Sequence, residues 1–136
     1  MEIQMYYLKN KYFYRWAKKQ RITDKTLIDA IEEFEKGLFE VNLGNHLYKK
    51  RIALAGRGKS GGARTILFYQ QGRKLIFCHG FEKNQQSNLS SSELNFLHKL
   101  SNSYQVINED LILEGIQQKK FFKILKSEEW KVWKTA

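Results

Sequence analysis

Ile3, Met5 and Tyr7 alternate near the start of the chain, which predicts a short strand within Met1 to Leu8. From Lys11 the apolar positions Phe13, Trp16 and Ala17 change to helical spacing, so the strand feeds a first helix. Thr23-Asp24 then precedes Leu27, Ile28, Ile31 and Phe34, and Gly37 follows. That is a cap, an apolar face and a stop for a second helix. Only Arg21 to Thr23 separates the two, which predicts an antiparallel helical hairpin.

The period becomes strand-like over Leu47 to Leu54, Ala63 to Tyr69 and Lys74 to Phe81. If Gln71-Gly72 is a two-residue turn, Arg64 lies opposite His79, Ile66 opposite Phe77 and Phe68 opposite Leu75, all on one face. Thr65, Leu67, Ile76 and Cys78 then share the other face. Both faces are apolar in their middle, so this hairpin is expected to be central, covered on each side and open at the Arg64/His79 end. Ser90 and Glu93 spell a capping box for a third helix from about Ser91, and Asn108 caps a shorter helical segment with Leu111 and Ile112. Beyond Lys119 the tail, with Phe121, Phe122, Trp130 and Trp133 among lysines, reads equally as a final strand, a docked segment or an aromatic basic arm.

Composition narrows the classes. A chain of 136 residues with 14% aromatics suits one compact domain spanning 1–136, with 119–136 as an extra tail. The single cysteine, Cys78, allows no internal disulfide and no metal cluster, so neither metal nor cofactor is expected. No apolar run approaches a membrane span and no secretion signal opens the chain, so a cytoplasmic location without a membrane partner is expected. A formal charge of +10 points to nucleic acid or an acidic protein as partner.

The charge is not evenly spread. Lys49, Lys50, Arg51, Arg57, Lys59 and Arg64 crowd one segment that holds no acidic residue and includes the glycine-rich run 56–62. A string of phosphates is the natural ligand for such a place. Alternation puts Lys49 and Arg51 on one side of their strand and Lys50 on the other. Gly58-Lys59-Ser60 is not a nucleotide-binding P-loop, because its first glycine would fall at Ala53 and a strand follows instead of a helix. Of the histidines, only His79 lies near Arg64 by strand pairing; His46 and His98 receive no role.

Taken with Gly58-Lys59-Ser60-Gly61-Gly62-Ala63-Arg64-Thr65-Ile66-Leu67, the segment Tyr48-Lys49-Lys50-Arg51 and the run from Gly80-Phe81-Glu82-Lys83-Asn84 to Leu89 resemble the RelE/HigB-type toxins of bacterial toxin–antitoxin modules. The likeness runs from the first helix to the helix opened by Ser90. It implies an α+β, RelE-like fold: a small antiparallel sheet with the N-terminal helical hairpin on one face and C-terminal helix elements. It also implies a toxin that cuts messenger RNA, commonly on the ribosome, and is silenced by a cognate antitoxin protein. By position, Lys49, Lys50 and Arg51 match the family's basic second-strand motif, Lys59 and Arg64 its loop and third-strand cations, and Lys83 the motif after the last hairpin strand.

Such an endoribonuclease works without a metal, through attack of the ribose 2′-hydroxyl on the adjacent phosphate. Arg64 stabilises the developing charge, Lys49 or Lys50 takes the hydroxyl proton, and Lys83 or His79 protonates the leaving oxygen. Arg51, Arg57 and Lys59 hold phosphate, and Tyr48 or Phe81 stacks on a base. Two alternatives stay open: a ParE-like gyrase-inhibiting toxin, and a degenerate toxin that binds antitoxin or RNA without cutting. Where many relatives carry an acidic residue and an arginine after this last motif, the chain has Gln85-Gln86.

Overall fold

Asn10 closes a strand and opens a helix in one residue. Its side chain accepts a hydrogen bond from the Phe13 backbone N–H at 2.8 Å, so β1 (Tyr6–Asn10) passes directly into α1 (Lys11–Lys19). The computed structural model describes residues 5–54, 58–83 and 88–125, and for 58–61 the backbone alone. Ile3 of the expected first strand therefore lies outside the described residues. Thr23 caps α2 (Asp24–Glu35) as its sequence predicts, and Gly37 takes φ 90° just beyond it.

The sheet has six strands in the order β2-β3-β4-β5-β1-β6. They are β2 (Val41–Gly44), β3 (Leu47–Leu54), β4 (Gly58–Gln70), β5 (Lys74–Glu82) and, at the far edge, β6 (Phe121–Lys123) beside β1. The sheet is larger than the expected one and mixed, because β1 runs parallel to β5 while the other pairings are antiparallel. In β2 only Val41 and Leu43 alternate, too short a run to announce a strand. β2 forms through a tight turn at Asn45-His46, both with positive φ (52° and 65°), the geometry that matches strand twist in a two-residue hairpin. Of the readings open for the tail, the described part is a strand: β6 pairs with β1, and Phe122 stacks on Tyr14 at 3.8 Å. Trp130 and Trp133 lie outside the described residues.

Each face of the sheet carries its own core. On one, Phe13 and Ala17 of α1 and Leu27, Ile31 and Phe34 of α2 pack with Ile52, Ala63, Leu67, Leu75 and Phe77. On the other, Leu47, Ile66, Phe68, Ile76 and Cys78 meet Leu97 and Tyr104 of α3 (Ser91–Val106) and Ile112 of α4 (Glu109–Gln117). Burial of each leucine, isoleucine or phenylalanine among them stabilises the fold by about 1.5–3 kcal/mol. Both expected caps are present: Ser90 and Glu93 form the full capping box, and Asn108 accepts from Leu111 N.

The β4–β5 register corrects the expected one. The loop has three residues, not two, because Gln70 pairs with Lys74 and Gly72 (φ 77°) supplies the left-handed position. Phe68 therefore faces Ile76, not Leu75. A bulge follows, since Leu67 pairs with Phe77 but Ile66 with His79, leaving Cys78 as the extra residue. Ile66 and Phe77, expected side by side, thus belong to opposite cores. Beyond the bulge the second slip restores parity, and Arg64 pairs with Phe81 while still sharing a face with His79. Gly80, on the helical face, must be glycine: a Cβ there would stand 2.3 Å from the Trp16 ring.

Candidate nucleic-acid interface

Three neighbouring strands lay out the cations as a grid on the α3 face. Across β3, β4 and β5 one row reads Lys49, Ile66, His79, and the next reads Arg51, Arg64, Phe81. Neighbouring strands lie about 4.8 Å apart, so the backbones carrying Lys49 and His79 stand about 10 Å from each other, with the fully buried Ile66 between them. The row between these two points the other way and holds Lys50, Thr65 and Gly80.

Arg64 is the most constrained member. It is 3% exposed, its Nε lies 2.6 Å from Glu40 Oε1, and its Nη1 is buried without a hydrogen-bond partner. A buried guanidinium donor left open costs about 1–3 kcal/mol, and an anion would relieve it. Arg51 reaches the same Glu40 oxygen from Nε at 3.3 Å and keeps 42% of its side chain exposed. Glu40 is held by the backbone, since its N–H donates to Lys49 O at 2.8 Å. Lys49 Nζ lies 3.4 Å from Asn88 Oδ1, a long and therefore weak bond.

His79 stands at the junction of sheet and helix. Its Nε2 lies 3.1 Å from Glu93 Oε2 but out of line for a hydrogen bond, and the contact is ionic only when the imidazole is protonated. Burial pushes the imidazole pKa below its ordinary value and Glu93 pulls it partly back. The net direction favours uncharged His79 near neutral pH.

Several expected site residues go elsewhere. Lys50 is turned to the helical face, where its Nζ meets Glu33 Oε1 at 2.7 Å in a nearly closed environment. Tyr48 lies on that face too, packed edge-on against Phe34 and Phe39, and so is not beside the grid. Strand alternation enforces both outcomes. Phe81 is at the grid but 4% exposed, which leaves little ring surface for a base to stack on. Lys83 follows β5 in an exposed turn. Arg57, the Lys59 side chain and Gln85-Gln86 lie outside the described residues.

Glu40, Asn88 and the pairing of Glu93 with His79 were missed from the sequence. Glu40 had a readable signal. Had Gly44-Asn45 been taken as a two-residue hairpin turn, Glu40 would have fallen opposite Lys49; the observed turn is Asn45-His46 and a bulge puts Val41 there, with Glu40 next to it.

No helix among the described residues is long and apolar enough to cross a membrane. A comparison with curated proteins returned no match. Residues 5–124 match a family described as the RelE toxin of the RelE/RelB toxin–antitoxin system, a span that takes in every described strand and helix. With its basic grid on the sheet and that match over most of its length, the chain belongs to the RelE toxin family and is the toxin of a toxin–antitoxin pair.

Proposed function

We propose that this toxin is an endoribonuclease that stops translation by cutting messenger RNA on the ribosome, using its own side chains for the proton transfers. The observation that carries the reading is the two-row grid around Arg64, with its buried and unpartnered Nη1. RelE-family toxins generally act on messenger RNA, and a phosphate at the grid would meet the partly exposed Arg51, Lys49 and His79, with the buried Arg64 beside Arg51. Arg64 stabilises charge on the phosphate oxygens as the 2′-hydroxyl attacks. Uncharged His79 is suited to take the hydroxyl proton, and Lys49, as a cation, to donate to the leaving 5′-oxygen. Lys83, Arg57 and Lys59 would extend the cationic track along the RNA backbone. Lys50 has no part in the chemistry on this reading.

The antitoxin partner that the family implies is proposed to cover the grid with an acidic segment, which relieves the repulsion among its cations. The test is primer-extension mapping of transcripts in a translating extract, with and without ribosomes, for the wild type and Arg64→Ala. Cleavage within codons that needs ribosomes and is lost in the variant is the expected result. Intact transcripts together with double-strand DNA breaks would sink it in favour of gyrase inhibition, and RNA binding without any cut would identify a degenerate toxin.

A further inference from the structure

Two arginines stand directly opposite each other at the Arg51/Arg64 pair of the β3–β4 ladder. Like charges facing across strands destabilise the pairing, and one of these is almost completely buried. The arrangement needs a carboxylate, and Glu40 is the one that both guanidiniums reach, from Nε at 2.6 Å for Arg64 and at 3.3 Å for Arg51. Its backbone bond to Lys49 fixes it just before β2, and a quarter of its side chain stays accessible.

The side of the guanidinium that Glu40 takes is the informative point. A carboxylate on Nε occupies the inner edge of the fork and leaves the outer end for another acceptor. On Arg64 that outer end includes the orphaned Nη1. We infer that Glu40 is the positioning residue of the site: it grips Arg64 and Arg51 by their Nε edges, so that the Nη ends of the two guanidiniums are set as one fixed phosphate clamp. The inference rests on the endoribonuclease reading for the identity of the phosphate, but the grip itself is a property of the free toxin.

Glu40→Gln keeps the shape and one acceptor oxygen while removing the charge. A residue that merely held the fold together would lower activity in step with folded protein. A positioning carboxylate splits binding from rate instead. With the full chain, the single-turnover rate of transcript cleavage should fall at least about tenfold in Glu40→Gln. Affinity for a DNA analogue of the cleaved segment, which lacks the attacking hydroxyl, should stay equal or tighten because a negative charge has gone. Glu40→Asp, which restores the charge, should recover part of the rate. A Glu40→Gln rate equal to or above wild type, or a rate loss matched by an equal loss of affinity, overturns the inference. If the wild type cuts no RNA at all, the nuclease reading fails, and NMR of the Arg64 side chain still decides this one. An Nε–Hε signal shifted in the wild type and released in Glu40→Gln upholds the grip; the same signal in both proteins overturns it.

Discussion

Lys50 and Arg64 are cations of nearly equal burial, 4% and 3% exposed, one register step apart on the same ladder, each against a carboxylate. They lie on opposite faces, and the partner chemistry differs accordingly. Lys50 ends in a compact ammonium that a single contact to Glu33 at 2.7 Å largely neutralises, under the roof formed by α2. Arg64 ends in a fork with five donors, and Glu40 leaves Nη1 unanswered. A buried cation whose one nitrogen has its carboxylate is a structural feature. One with a buried donor left unanswered, beside Arg51 and on the face that carries Lys49 and His79, is a candidate to take a ligand.

The sharpest way to break that contrast is to alter the fork. Arg64→Ala should slow RNA cleavage about 10²–10³-fold, the loss typical of removing one group that stabilises transition-state charge. Arg64→Lys should recover little of it, because an ammonium cannot serve Glu40 and a phosphate in one plane. Single-turnover cleavage assays check both, and near-wild-type activity in Arg64→Lys would reduce Arg64 to a point charge like Lys50.

Lys50 should show the reverse profile. Lys50→Ala is expected to lower unfolding free energy by about 1–3 kcal/mol, the lower range for a buried pair because Glu33 is partly accessible. Lys50→Met, which fills the same space, should cost less. Urea titration measures the loss, and the folded protein should cut RNA at the wild-type rate. Abolished cleavage in a stable Lys50→Met protein would return Lys50 to the chemistry and erase the distinction between the faces.

The smallest effect concerns His79. Glu93 opposes the burial that lowers the imidazole pKa, so Glu93→Gln should lower it further, by an amount readable in an NMR titration, while Gln still completes the capping box. The sign for stability follows from proton binding. Below about 6.5 the unfolded chain takes up the proton more readily than the folded one, so stability from uncharged His79 is present above that pH. It is lost as pH falls through the lower folded value. A His79→Gln variant should lose that part of the acid dependence; an unchanged acid limb would place its origin elsewhere.

Much of the fold follows from local chemistry written in order along the chain. The caps at Thr23, Ser90 and Asn108 and the helical spacing after Lys11 each depend on residues three or four apart, and each is found where it reads. β2 escaped because the alternation of Val41 and Leu43 over four residues is too short to stand out as a strand. The family likeness came from basic motifs on adjacent strands, and the match over 5–124 agrees with it.

The amino-acid sequence by itself determined the elements, the cationic segment from Lys49 to Arg64 and, through simple alternation, that Lys50 would part from Lys49 and Arg51. Which residues stand together was decided only in the tertiary structure, because register is a sum of small steps. One extra loop residue at Arg73 and one bulged residue at Cys78 shift β5 by two, giving Arg64 Phe81 as its neighbour and placing His79 beside Ile66. Glu40 is the strongest case. It is 24 residues from Arg64 in sequence (64 − 40), and only the folding of β2 onto β3 and β3 onto β4 turns a lone carboxylate into the common partner of two arginines.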